Sequence, residues 1–458
     1  MASAKAYPFV PKSTAHLVAG QFWAIPLNDG KWACGRVLAG SAGGGPGSRT
    51  MFVAGLMDWV GDRPPTEESI GVSRVLEVGR VHLRTIAGTG SQILGHLPLS
   101  PDDAALAEGP VGRFWGPSYI VRAAERLAEL GSDNYRQIDE ERAQAGLFPQ
   151  IRALRSPLRR GMLKPLKDRI KVVQFSEPLS DRELKRVARF MESYPDVRLR
   201  MYGHGNRSDL EWLRYFPGHQ NFMVDAHDLE SLDGLRHLPE TLSQLAIGQT
   251  KQRLSLLVLE RFPELKTLYL EGHTKDIEVL SQLRRLEDLT LRSITLPDLS
   301  VLLPLERLWS LDLKLGGTTN LDLLPHIGSL KYLELWMIRG FDDLSPVSGL
   351  TNLRFLFLQA LRRVTALPDL SDCTRLRRIH LETMKGLSDL SPLAHAPALE
   401  QLLLVDMVHL RQEHLEPLRN HPSLQSIGIG LGSVKRNQAA QEMLGLPDVE
   451  PPLADLYD

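Results

Sequence analysis

The sequence predicts an α/β chain in which a small β-rich unit precedes a long solenoid of stacked, strand-bearing turns. Three observations carry that expectation. Residues 18 to 100 alternate short apolar runs with turn residues. Residues 113 to 168 show helical periodicity without a repeat. From about residue 240 an L-x-x-L-x-L phrase recurs at nearly constant spacing. With 458 residues the chain is too long for one ordinary core, so more than one structural unit is expected. The expected division is a β-rich domain over 1–112, a helical connector over 113–168 and a capped solenoid over 169–458.

The front unit opens with FWAIPLNDGKWACGRVL (22–38), two apolar runs joined by Asn28-Asp29-Gly30. Those turn residues tolerate the positive φ of a tight hairpin. Further strand-like runs are TMFVAGLM, SRVLEVGRVHL and ILGHLPL, which together predict a half-open or barrel-like sheet. The glycine-rich stretch 39–49 reads as a hairpin tip. It lacks the G-x-x-x-x-G-K-[ST] order and strand-to-helix setting of a phosphate loop. A period of two places Trp32, Cys34 and Arg36 on one strand face. Cys34 reads as a small core residue. Trp32 and Arg36 read either as a contact surface, since Trp and Arg favour interfaces, or as a snorkelling edge.

Phe22, Ile25, Pro26, Leu27, Asp29, Gly30, Trp32, Gly35, Arg36, Val37 and Leu38, followed by Gly95 and Leu97 to Leu99, form an ordered set. This set resembles immunity protein family twenty-six of bacterial polymorphic-toxin systems, over roughly residues 18 to 105. The resemblance implies a non-catalytic protein that neutralises a bacterial toxin by binding it.

In the middle segment, PSYIVRAAERLAEL places Ile120, Val121, Ala124, Leu127 and Leu130 at amphipathic helical spacing. It is expected to pack between the two larger units. Residues 151–218 carry 16 Lys/Arg against 8 Asp/Glu, and residues 219–458 carry 24 against 32. The densest basic run is Arg152, Arg155, Arg159, Arg160, Lys164 and Lys167. It is either a solvated face or a site for phosphate or an acidic partner.

In the back half, the leading leucines are Leu242, Leu265, Leu286, Leu308, Leu330, Leu353, Leu376, Leu399 and Leu424. Their steps are 23, 21, 22, 22, 23, 23, 23 and 25 residues. Each turn supplies a short strand whose inward leucines can be buried only by stacking on its neighbours. The pattern resembles the leucine-rich repeat, with about nine clear turns over at least residues 240 to 430. In that family an Asn or Cys commonly binds backbone just after the strand. Here the positions hold Ile338, Leu361, Met384 and Met407, so the corner must be satisfied in another way. RIKVVQF, DVRLRMY and QNFMVD are weaker strands at similar intervals and predict divergent N-terminal turns. Ser180 and Glu183 form a capping box that predicts a helix to about Tyr194. Residues 435–444 predict a capping helix, and the proline-bearing tail after Leu446 an irregular end.

The alternate residues of each strand face the concave side. The third-position column runs Thr267, Asp288, Ser310, Tyr332, Phe355, Arg378, Gln401. The fifth runs Tyr269, Thr290, Asp312, Glu334, Phe357, His380, Leu403, with Trp336 and Gln359 just beyond. Tyr332, Trp336, Phe355 and Phe357 would form an aromatic centre, flanked by Asp312 and Glu334 on one side and Arg378 and His380 on the other, with Tyr269 a further candidate contact in the same column. That arrangement has the anatomy of a protein-binding hot spot. The competing reading is aromatics packing on one another across the sheet.

A formal net charge of −1 argues against a chain built wholly for nucleic acid or a membrane surface. No run of about 18 apolar residues predicts a membrane span, and the N-terminus lacks a signal-peptide core. The two cysteines, Cys34 and Cys373, form neither a disulfide framework nor a metal spacing. A reducing, cytoplasmic setting is the expectation. No H-E-x-x-H, G-x-S-x-G or paired metal motif occurs, so neither catalysis, metal nor cofactor is expected. His204 lies between glycines, and His227, His237 and His273 are scattered over the early turns. The leading expectation is a toxin-binding immunity protein whose acidic solenoid suits a basic partner. A general scaffold or adaptor is the alternative. An enzyme with a repeat-type recognition arm comes third.

Overall fold

In the computed structural model of the chain, residues 6–27, 29–40, 51–88, 92–108, 114–115, 119–144, 150–167, 170–203 and 206–449 are described. The chain divides into two units, Met1–Gln150 and Ile151–Asp458. Asn28, the hairpin tip at 41–49, His204 and the tail from 450 lie outside the described residues.

The first unit is built on an open sheet of six strands. These are β1 (Gln21–Pro26), β2 (Trp32–Ala39), β3 (Met51–Gly61), β4 (Val75–His82), β5 (Ile93–His96) and β6 (Phe114–Trp115). Their order is β5-β1-β2-β3-β4-β6, antiparallel throughout except that β6 runs parallel to β4. The β1–β2 hairpin closes at the expected turn. Gly30 takes φ 85°, and Asp29 Oδ1 accepts the Lys31 N–H at 3.0 Å.

One face of the sheet buries Trp23, Ile25, Val37, Phe52 and Val81 against Ile120, Ala123, Ala124 and Leu127. Those last four lie on the helix Tyr119–Gln144, which breaks at Gly131 (φ 73°). The segment expected as a separate connector is therefore divided. Its helix completes the front unit's core, because its apolar stripe matches the sheet's apolar face. Gln150–Leu154 instead joins the sheet of the second unit. The opposite face of the first sheet buries Phe22, Cys34, Met57 and Ile70. Burial raises the Cys34 thiol pKa, consistent with a core residue.

The matched glycines of the front unit have packing reasons. A side chain at Gly35 would meet the Trp23 ring at 2.3 Å, and one at Gly95 would meet Phe22 at 2.7 Å. The opening phrase and the closing strand of that ordered set are also joined physically. Phe22 pairs with Gly95 between strands, and Arg36 Nη2 donates to the carbonyls of Leu97 and Pro98 at 2.7 and 2.9 Å.

The second unit is one sheet of 13 strands, laid down in sequence order from Gln150–Leu154 to Ser426–Ile429. Every described pairing is parallel, and from Asn221 onward neighbours stand in unbroken register. RIKVVQF, DVRLRMY and QNFMVD supply the early strands Ile170–Phe175, Arg198–Tyr202 and Asn221–Asp225. Short 3₁₀ helices return the chain along the other side. Several start at an Asp-Leu-Ser triplet: Asp343 Oδ1 accepts the Ser345 N–H at 2.7 Å, and Asp389 that of Ser391 at 2.8 Å. Such Asx caps supply a partner to a backbone donor that the short helix leaves free.

The leading leucines form an uninterrupted buried column. Full burial of one such side chain contributes about 1.5–3 kcal/mol, realised only when the next turn is in place. The capping box forms as expected, with Ser180 N–H donating to Glu183 Oε2 at 2.9 Å, and the helix runs Asp181–Met191. Glu183 also accepts the Leu158 N–H at 2.7 Å, tying the helix start to the preceding loop. At the far end Val434–Leu444 is helical, stopped by Gly445 at φ 67°.

The corner that lacks Asn or Cys is solved by the backbone. Ser293, Leu315, Met337, Ala360, Thr383 and Asp406, each one residue past a strand, take φ between 51° and 56°. From there the N–H groups of Ser293, Leu315, Met337, Ala360 and Thr383 continue the ladder. Leu315 donates to Trp336 O, Met337 to Gln359 O and Ala360 to Glu382 O, at 2.8, 2.8 and 2.9 Å. The left-handed turn then drives Ile338, Leu361, Met384 and Met407 into the core.

Candidate protein-binding face

Strands such as Thr267–Glu271 and Phe355–Gln359 alternate half-buried and buried residues, so positions one, three and five of each face out from the array. The register then sets neighbours side by side: Tyr332 beside Phe355, Glu334 beside Phe357, Phe357 beside His380, Trp336 beside Gln359. All the expected concave positions lie on this face.

The aromatics pack as they present themselves. Tyr332 and Phe355 meet edge to face at 5.1 Å, and Phe357 stacks flat on His380 at 4.1 Å. The Arg378 guanidinium lies over Phe355 at 5.3 Å and Arg292 over Trp336 at 5.4 Å. Such pairs contribute about 0.5–1.5 kcal/mol beyond area burial. Packing across the sheet therefore does hold these rings. Yet Tyr332, Trp336, Phe355 and Phe357 each keep part of their surface in solvent. Desolvation, with a smaller contribution from the Arg378 charge, lowers the His380 pKa to about 4, so the ring stacked on Phe357 is neutral at pH 7.

The flanking charges differ from the expected open rim. Glu334 and Arg378 are each only 6% exposed. Glu334 accepts from the Tyr332 hydroxyl at 2.9 Å and pairs with Lys314 at 2.9 Å. Lys314 also reaches Asp312 at 3.4 Å, and Asp312 accepts from Thr290 at 2.9 Å. Arg378 donates to Gln401 at 2.7 Å. The cause is lateral spacing. Strands about 4.8 Å apart place side chains from both neighbours against every central position. Removal from water raises the Asp312 pKa to about 7, with nearby Glu334 adding to the rise and Lys314 opposing it. Glu271, Arg292 and Lys314, on the outermost column, complete the network: Glu271 accepts from Tyr269 at 2.8 Å and pairs with Arg292 at 3.1 Å. Of that column, the sequence pattern singles out only Trp336 and Gln359. Carrying the period of two one step further along the earlier strands would have found the rest.

Arg36 is corrected. It is 2% exposed and committed to Leu97 and Pro98, so it is not a surface contact. Both faces of β2 are covered, which a single strand's period could not reveal. Trp32, at the strand's start, is half-buried. Of the basic run, Arg152 donates to the carbonyls of Met162 and Lys164 at 3.1 Å each, while Arg155, Arg159, Lys164 and Lys167 are exposed. His237 pairs with Glu211 at 3.0 Å, and His273 is buried, accepting from the Leu254 N–H. Among the described residues no cluster of three or more His, Cys, Asp or Glu could hold a metal, and no helix is long and apolar enough to cross a membrane.

No protein-family model matches the chain, and no curated protein matches it. Among solved structures, the internalin InlF of Listeria monocytogenes is similar at 17% identity, covering 60% of this chain and 90% of that one, with a TM-score of 0.40. Internalin C2 of the same organism is 19% identical over 54% and 83%, with a TM-score of 0.26. A leucine-rich-repeat protein of Leptospira interrogans is 15% identical over 68% and 98%, with a TM-score of 0.34. What decides the fold is this chain's own geometry: parallel strands one turn apart, each closed by the same inward leucines. The array is a leucine-rich-repeat solenoid.

Proposed function

We propose that this leucine-rich-repeat chain is a non-catalytic protein-binding scaffold whose concave sheet face receives the partner. The observation that carries the reading is the run of half-exposed aromatics Tyr332, Trp336, Phe355 and Phe357 on neighbouring strands, held in place by Arg292, Glu334, Arg378 and His380. Rigid aromatics lose little freedom on binding, and a pre-formed charged frame orients them. Tyr269 and Asp312 extend the face toward the N-terminal turns. The finer reading is that the partner is a bacterial toxin. It is supported by the ordered motif of the front unit, from Phe22 to Leu38 and on to Gly95 and Leu99. Immunity would then act by covering the toxin's active surface, in the cytoplasm where the toxin would otherwise work.

The test is a pull-down from the cells that express the chain, with the intact protein and a Trp336→Ala, Phe357→Ala variant, read by mass spectrometry. Retention of one dominant protein by the intact chain and its loss by the variant supports the concave face. Identification of that protein as a toxin supports the finer reading. Equal retention by the variant would move binding to another surface.

A further inference from the structure

A second surface lies just past the ends of the strands, outside the concave columns. Leu315, Met337, Ile338, Gly340 and Ala360 line an open apolar groove of about 610 Å³, rimmed by three arginines. The groove is a consequence of the left-handed corners. Leu315, Met337 and Ala360 are successive members of the positive-φ column, and that geometry turns their side chains out from the array as Ile338 and Leu361 go in. Met337 is 37% exposed.

The rim is formed by Arg339, Arg362 and Arg363, all exposed. Among the described residues, no carboxylate lies within ion-pair distance of any of them, whereas many arginines of the same array are paired. Arg292 meets Glu271, Arg377 meets Glu400 and Arg236 meets Glu211, at 3.1, 2.8 and 2.8 Å. Nearby Asp343 is already committed, accepting from the Ser345 N–H and hydroxyl at 2.7 Å each. Three uncompensated guanidinium groups around an apolar floor form a site of defined chemistry. The floor accepts an aliphatic or aromatic side chain, and the rim accepts carboxylates in forked geometry. The lining comes from three consecutive turns, a span of about 10 Å at the usual strand spacing, which fits about three residues of extended peptide.

We infer that this groove docks a segment of a partner protein in which acidic residues flank a large apolar side chain. The surface is separate from the aromatic face, whose flanking charges are of both signs and paired. The array's acidic balance favours basic partners in general, while this rim selects an acidic one locally. A partner could thus be held at two places, or two partners at once.

The test is selection of random twelve-residue peptides, displayed on phage, against the intact chain and against an Arg339→Gln, Arg362→Gln, Arg363→Gln variant. The three positions are exposed, so the variant should keep the parent's melting temperature, which is measured alongside. Expected is enrichment of peptides with Asp or Glu beside Leu, Ile, Met, Phe or Tyr. A synthetic copy of an enriched peptide should bind the variant about tenfold or more weakly, and should weaken with added salt. A Met337→Gln variant should weaken it independently of charge. Enrichment without acidic residues, or equal affinity for the triple variant, would overturn the inference. So would enrichment of acidic peptides only after Asp455→Asn, Leu456→Ala and Asp458→Asn, since the chain's own tail would then be the occupant.

Discussion

Arg36 offers a sharp test, because its sequence and its structure assign it different work. The perturbation is Arg36→Met, which keeps much of the aliphatic stem and removes the guanidinium. The guanidinium makes two bonds, at 2.7 and 2.9 Å, to carbonyls of the 97–98 segment, and the residue is 2% exposed. A bond from a charged donor contributes about 1.5–3 kcal/mol, and because Leu97 is half-buried and Pro98 exposed, water takes over part of what the freed carbonyls lose. Allowing for partial relaxation and for water entering, the net loss should be about 3–5 kcal/mol. That is a large share of the about 5–15 kcal/mol that holds a typical domain. Arg36→Lys should lose about half as much, since one ammonium cannot fork to both carbonyls. The assay is urea unfolding read by hydrogen exchange of amides in residues 21–38, which isolates the front unit from the array. A loss below about 1 kcal/mol, together with loss of the partner in a pull-down, would refute the structural assignment and restore Arg36 as a contact.

Four further outcomes follow from the same geometry. Leu356→Ala, in the fully buried column, should cost about 2–5 kcal/mol, with exchange rising first in the turns at 333–335 and 379–381. At Ala360, φ 52°, substitution by Val should cost about 1–2 kcal/mol, while Gly should be neutral or slightly stabilising; thermal melts decide it. Glu183, held by Ser180 and Leu158 with its pKa lowered to about 2, should contribute stability above its usual 4.5 that is lost as pH falls toward 2. Glu183→Gln should remove that acid dependence in a pH series of unfolding midpoints. Asp312 has the opposite sign: its pKa is raised to about 7, so the folded state holds the proton more tightly and this residue's contribution declines as pH rises from about 4 to 7. Asp312→Asn should flatten that part of the curve.

Much of this architecture was legible in the residues. The spacing of Leu242 to Leu424 located the strands because an inward leucine has only one kind of place to go in a stacked array. Ser180 and Glu183 marked a helix start because their side chains satisfy named backbone donors. The concave columns followed from strand periodicity. The left-handed corners were not legible, since Leu315, Met337 and Thr383 are poor residues for positive φ and the register of the neighbouring strands imposes it. The burial of Glu334 and Arg378 was hidden because it depends on partners 22 or 23 residues away on adjacent strands. The helix at Tyr119 was legible, but not the sheet it completes, which is assembled from strands between residues 21 and 115.

Hydroxyl-radical footprinting of the chain, alone and with its captured partner, locates the face that the partner covers. With the partner on the concave face, oxidation of Tyr332, Trp336, Phe355 and Phe357 should fall sharply in the complex while that of Trp32 is unchanged. Unchanged reactivity of those four rings, with protection appearing elsewhere, would contradict that placement.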